Sequence, residues 1–142
     1  SLAYALYDSG RCAEAVEEYR SAARLAPPAY ELLLDWGLAL DCAGNRAEAV
    51  AVLEKAAALQ KTAHVYALLG MEHAKDGRLT QALALLDQAE SIDPAFEPTF
   101  LYRGNVHALL GERQKAIADF RKALALNAED TAARQALQQL GP

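Results

Sequence analysis

The sequence predicts an all-α fold of antiparallel helix hairpins closed by a C-terminal capping helix. Three observations carry that prediction. Glycines recur at a nearly constant interval, small residues keep step with them, and an amphipathic stretch fills each gap. Gly10, Gly44, Gly77 and Gly111 are separated by 34, 33 and 34 residues. A glycine just past a helix end accepts the left-handed conformation that closes the helix at little steric cost. Five residues after each stands an alanine (Ala15, Ala49, Ala82, Ala116), and twelve after stands another (Ala22, Ala56, Ala89, Ala123). Nine after stands a large apolar or aromatic residue: Tyr19, Leu53, Leu86, Phe120. Seven before stands a small one: Ala3, Gly37, Gly70, Gly104. Closely packed antiparallel helices need small residues where they cross, since bulk there overpacks the contact by about 1–3 kcal/mol.

Taken in order, this pattern places helices near 1–9, 12–25, 30–43, 46–59, 63–76, 79–92, 97–110 and 113–126. Pro27 and Pro28 break the chain after the first hairpin, and Asp93-Pro94 after the third. Pro98 suits a helix start, where a missing N–H costs nothing. The 33-residue interval falls where Gln60-Lys61-Thr62 replaces a proline-containing turn, which predicts a tighter connection. At the end, Asp130 can cap a last helix with Ala133, Ala136, Leu137 and Leu140 on one face. Gln138 stands where a further unit would need a small residue, as expected of a solvating end cap. One domain is expected over 1–142. It comprises a truncated unit 1–29, complete units 30–62, 63–96 and 97–130, and the capping helix 131–142. The truncated first unit fits a piece of a larger parent.

Composition narrows the function classes. The 142 residues are 53% hydrophobic and 23% charged, enough for a core and unlike a disordered chain. A net charge of −5 with scattered acids argues against nucleic acid. The densest basic stretch, Arg113, Lys115, Arg121 and Lys122, is interrupted by Asp119 and reads as a solvated helix face. No apolar run approaches the roughly 20 residues of a membrane span, and the start lacks a signal-peptide pattern. Cys12 and Cys42 have no metal-ligand spacing. They are expected as free thiols, which fits a reducing compartment and a cytoplasmic setting.

The repeat resembles the tetratricopeptide repeat family over nearly the whole chain. The third unit carries Tyr66, Leu69-Gly70, Ala82, Leu86, Ala89 and Pro94 at the family's positions. The second has Leu33, Trp36-Gly37, Leu40, Ala49, Leu53 and Ala56, with Lys61 in place of proline. The fourth has Phe100, Gly104, Ala116, Phe120 and Ala123, with Arg103 for leucine and Ala128 for proline. A pentatricopeptide reading has a similar repeat length, but it implies RNA binding, which the charge opposes.

The resemblance implies a right-handed α-α superhelix, or solenoid, with the first helix of each pair lining a concave groove. Its groove positions map here to Tyr4, Tyr7 and Asp8; to Glu31, Leu34, Leu38, Asp41 and Cys42; to His64, Ala67, Met71, Ala74 and Lys75; and to Pro98, Leu101, Asn105, Ala108 and Leu109. Ala74 and Ala108 are expected to pack between hairpins. Such a surface is apolar at its centre and acidic towards its start, which suits an extended peptide or an amphipathic helix. The fifth positions, Leu34, Ala67 and Leu101, are uncharged, so the family's clamp for a C-terminal carboxylate is not expected.

No catalytic group, metal or cofactor is expected. His73 and His107 occupy equivalent packing positions, neither cysteine has a histidine near it in sequence, and no phosphate loop occurs. Two function classes remain. One is a scaffold or adaptor for a protein or peptide ligand. The other is a regulatory or substrate-recruiting segment of a larger enzyme or secretion protein. Self-association through the first helix is a further expectation.

Overall fold

The computed structural model describes residues 11–141, which hold eight helices and no strand. The chain divides into two compact units, Ser1–Lys61 and Thr62–Pro142. The helix expected at 1–9, with Tyr4, Tyr7 and any self-association through it, lies outside the described residues.

The first unit contains α1 (Cys12–Leu25), α2 (Tyr30–Cys42) and α3 (Arg46–Leu59). α1 buries Cys12, Ala15, Val16 and Tyr19, and α3 buries Ala49, Val52, Leu53 and Ala56. Each set is one stripe at helical spacing, so each helix presents a single apolar face. α2 and α3 form a hairpin whose crossing is as close as the sequence requires: a Cβ on Gly37 would lie 2.7 Å from Leu53. Asn45 caps α3, its side chain accepting from the Glu48 N–H at 3.3 Å. Arg20 of α1 donates to both carboxylate oxygens of Glu48 at 2.6 and 2.8 Å. That pair is one-third exposed on each side, so water and salt screen it.

The expectation of free thiols is corrected here. Cys12 opens α1, Cys42 closes α2, and the two form a disulfide with Cα atoms 5.8 Å apart. The packing of α1 against α2 brings together helix ends that are 30 residues apart in sequence.

The second unit contains α4 (Ala63–Lys75), α5 (Leu79–Ile92), α6 (Pro98–Leu109), α7 (Arg113–Leu126) and α8 (Thr131–Leu140). α4 and α5 form one hairpin, α6 and α7 a second, and α8 packs on α7. Gly77 and Gly111 turn the chain at φ 78° and 76°. In each turn the following residue donates back to a histidine carbonyl, Arg78 to His73 and Glu112 to His107, both at 2.9 Å. This bond closes a helix on a left-handed glycine. A Cβ on Gly70 would meet Leu86 at 2.7 Å, and one on Gly104 would meet Phe120 at 2.6 Å. Only Gln60, Lys61 and Thr62 connect α3 to α4, the tight connection expected, and the Thr62 side chain accepts from the Val65 N–H at 3.1 Å. Pro98 is the first residue of α6.

The cap behaves as its sequence predicts. Asp130 accepts from the Ala133 N–H at 3.0 Å, and Ala133, Ala136, Leu137 and Leu140 pack on the cluster of Phe100, Ala116, Phe120 and Ala123. Arg113 closes the far end, donating from Nε and Nη2 to the Leu140 carbonyl at 2.9 and 2.6 Å. Gln138 is exposed.

Candidate functional site

α4 and α6 pack side by side in the second unit, and a cleft of about 170 Å³ opens between them. Met71, Ala74 and Lys75 line it from α4; Tyr102, Asn105 and Leu109 line it from α6. Each set lies on one helical stripe. Both helices are backed closely within their hairpins, where Gly70 and Gly104 seat on Leu86 and Phe120. The lining is mainly apolar: a thioether, a phenol ring, a methyl and a leucine. Leu109 is 68% exposed, a large apolar side chain that the fold does not cover. Lys75 and Asn105 bring an ammonium and a carboxamide to the same cleft, the latter able both to donate and to accept.

Four residues expected in the groove, Met71, Lys75, Asn105 and Leu109, meet here. Ala74, expected to pack between hairpins, lines the cleft instead, and Ala108 is exposed. Tyr102 was not among the expected positions, although its spacing to Asn105 and Leu109 is that of one helix face. Other expected residues lie elsewhere. Leu101 packs against the aromatic cluster under the cap. Leu34 is only 7% exposed and Ala67 fully buried. Both fall on interior stripes of their helices, with Leu33 and Gly37 on α2 and with Val65 and Leu68 on α4. Leu38 and Asp41 of α2 are half-buried, and Glu31 is exposed. His64 is exposed, its ring centroid 5.4 Å from that of Phe96.

A larger hollow of about 420 Å³, lined by Leu83, Asp87, Arg103, His107, Lys115 and Asp119, lies among α5, α6 and α7. Its chemistry is different. Arg103 stands where the repeat has leucine, and its side chain is only 13% exposed. It donates from Nε and Nη2 to the two oxygens of Asp119 at 3.0 Å, and from Nη1 to Asp87 at 2.9 Å and Glu90 at 2.7 Å. Burial alone would lower the guanidinium pKa; the bonds to Asp119 and Glu90 outweigh it and raise the pKa. His107 Nδ1 lies 2.9 Å from Glu112 Oε1, and Nε2 lies 3.7 Å from Asp119 Oδ2. Hydrogen bonding to His107, then to Lys115, holds the Glu112 carboxyl below its ordinary value. His107 therefore hydrogen-bonds Glu112 and lies beside Asp119, beyond the packing role expected of it.

A third polar group sits under the cap. Glu97 accepts from Asn127 Nδ2 at 3.3 Å and faces the capping Asp130. Burial first, then hydrogen bonding to Asp130, raises the Glu97 pKa to about 7. Among the described residues, no group of three His, Cys, Asp or Glu side chains is placed to hold a metal. No helix among them is long and apolar enough to cross a membrane.

Family models of the tetratricopeptide repeat match residues 63–96 and 99–130. No curated protein sequence matches the chain. Among solved structures, TTC0263, described as a thermophilic TPR protein from Thermus thermophilus, is 30% identical. The match covers 98% of this chain and 77% of that one at a TM-score of 0.86. YrrB, described as a TPR protein with an unusual peptide-binding site, is 22% identical over 94% of this chain and 70% of its own, with a TM-score of 0.77. MamA from Desulfovibrio magneticus RS-1 is 23% identical over 98% and 79%, also at 0.77. With repeating hairpins, seated glycines and a capping helix in place, this all-α helical repeat chain belongs to the tetratricopeptide repeat family.

Proposed function

We propose that the chain is a protein-interaction scaffold that takes a peptide or one face of an amphipathic helix in the cleft between α4 and α6. The observation that carries this reading is the convergence of Met71, Tyr102 and Leu109 on one open, mainly apolar cleft. Methionine and tyrosine are favoured at binding surfaces because one adapts its shape and the other presents area with few rotatable bonds. An apolar anchor from the ligand would enter between the helices, with Asn105 bonding the ligand backbone and Lys75 favouring an acidic neighbour. The description of YrrB as having a peptide-binding site supports the same class of ligand.

The role is proposed as binding without catalysis. Asp87, Glu90 and Asp119 are all engaged by Arg103, which leaves that hollow poorly suited to acid–base chemistry. A cytoplasmic setting belongs to the same proposal and is read from the redox state of Cys12 and Cys42 in cells. A mainly reduced pair fits it; a fully oxidised pair argues for an oxidising compartment.

The test is selection of peptides from a displayed random library on the intact chain, followed by titration against variants. Met71→Glu and Leu109→Glu should each weaken the selected peptides by about tenfold or more, a loss of about 1.4 kcal/mol. Glu54→Lys, on exposed α3 surface, should leave them unchanged. Peptides that bind both cleft variants as tightly as the parent chain would refute the assignment.

A further inference from the structure

The disulfide joins two sulfurs in unlike surroundings. Cys12 is 3% exposed and is the first residue of α1; Cys42 is exposed and is the last residue of α2. A helix N-terminus carries partial positive charge and a C-terminus partial negative charge. A thiolate formed at Cys12 would therefore sit at the favourable end of a helix, with Arg11 adjacent in sequence. One formed at Cys42 would sit at the unfavourable end, with Asp41 adjacent. Thiol–disulfide exchange is governed by access to the attacked sulfur and by the stability of the departing thiolate. Access points to Cys42 as the attacked sulfur, and the helix ends favour Cys12 as the departing thiolate, against the desolvation that its burial imposes.

We propose that Cys12 and Cys42 form an exchange-active pair: Cys42 is the sulfur that small thiols and disulfides of the glutathione class attack or join, and Cys12 is the resolving sulfur. In reduction, the external thiolate attacks Cys42 Sγ. A bond forms between that sulfur and the small thiol, the Cys12–Cys42 bond breaks, and the electron pair leaves on Cys12, which takes a proton from water. A second small thiolate attacks the small-molecule sulfur of the mixed disulfide. It releases Cys42 as a thiolate, which is then protonated, and forms the small-molecule disulfide. Two electrons pass from two external thiols to the protein. Oxidation is the reverse, with the small-molecule disulfide as electron acceptor and the same mixed disulfide on Cys42 as intermediate.

The experiment reads the chemistry alone. The intact chain and its Cys12→Ser and Cys42→Ser variants are treated with glutathione disulfide under native conditions, and adducts are followed by intact mass and peptide mapping. Cys12→Ser should accumulate one glutathione on Cys42, at a rate about tenfold or more above that of Cys12 in Cys42→Ser. In denaturant the two rates should converge, which ties the difference to the fold. The parent chain should pass through a Cys42 adduct to the internal disulfide. Equal native rates, faster reaction at Cys12, or a parent chain that keeps two free thiols in the oxidising buffer would each overturn the proposal. Circular dichroism of both variants identifies a misfolded one, and for such a variant the position of the adduct in the parent chain decides.

Discussion

Adjacent residues on α6 lead into opposite chemistries. Tyr102 faces an open cleft with Met71 and Leu109, while Arg103 turns into a hollow where three carboxylates surround it. The charged hollow is the larger, yet its polar groups already bond one another. The apolar cleft is smaller and keeps Leu109 largely in water. A charge cluster satisfied from within gains little from a ligand, because the ligand must displace bonds as good as those it makes. Apolar surface left in water gains wherever it is covered. The size of a hollow is therefore a poorer guide to function here than the state of the groups lining it.

If this contrast is right, the two sides of α6 should respond differently to substitution. The largest effect should come from Arg103→Leu, which restores the repeat's usual residue and strands Asp119, a carboxylate only 10% exposed on its side chain. A loss of about 3–5 kcal/mol is expected in urea unfolding, the cost of an uncompensated buried charge. Adding Asp119→Leu should recover much of it. A single variant as stable as the parent would show that the cluster is not a structural element. On the other side, Leu109→Ser should shift stability by no more than about 0.5 kcal/mol, as at ordinary surface positions, while weakening selected peptides.

An intermediate effect is expected under the cap. The Glu97 pKa is raised from 4.5 to about 7 in the folded chain, so the folded state holds this proton more tightly than the unfolded one. Its contribution is fully present below about 4.5, declines as pH rises, and is lost above about 7. Glu97 retains solvent contact, so the difference between those limits should be about 1 kcal/mol after screening. Comparing the pH dependence of urea unfolding in the parent chain and in Glu97→Gln isolates it. A smaller effect again, about 0.5–1 kcal/mol, is expected for Thr62→Ala, which removes the α4 cap.

The fold is largely legible in the sequence. α1, α3, α5 and α7 begin and end where the glycine and alanine periodicity places them, because that periodicity records the crossings themselves: Gly37 on Leu53, Gly70 on Leu86, Gly104 on Phe120. The candidate cleft is legible in part. Met71, Lys75, Asn105 and Leu109 follow from the family's positions, whereas Tyr102 lies off them and is found only by extending the stripe of Asn105 and Leu109. Leu34 was misplaced because one helix carries interior and groove stripes side by side, and composition does not separate two leucine-rich stripes. The disulfide was missed because pairing depends on α1 lying beside α2. Cys12 stands two residues after Gly10 and Cys42 two before Gly44, a symmetry of the repeat that could have indicated it. Arg103 stood out as a break in the pattern, but its carboxylates come from two other helices.

On the proposed reading, ligands choose the apolar side of α6 over the charged one. Backbone chemical-shift mapping of the intact chain with a library-selected peptide separates the two sides. Saturable shifts should centre on Met71, Ala74, Lys75, Tyr102, Asn105 and Leu109, with Asp87 and Asp119 little changed. Shifts centred on Asp87, His107, Lys115 and Asp119, with the α4–α6 cleft silent, would contradict it.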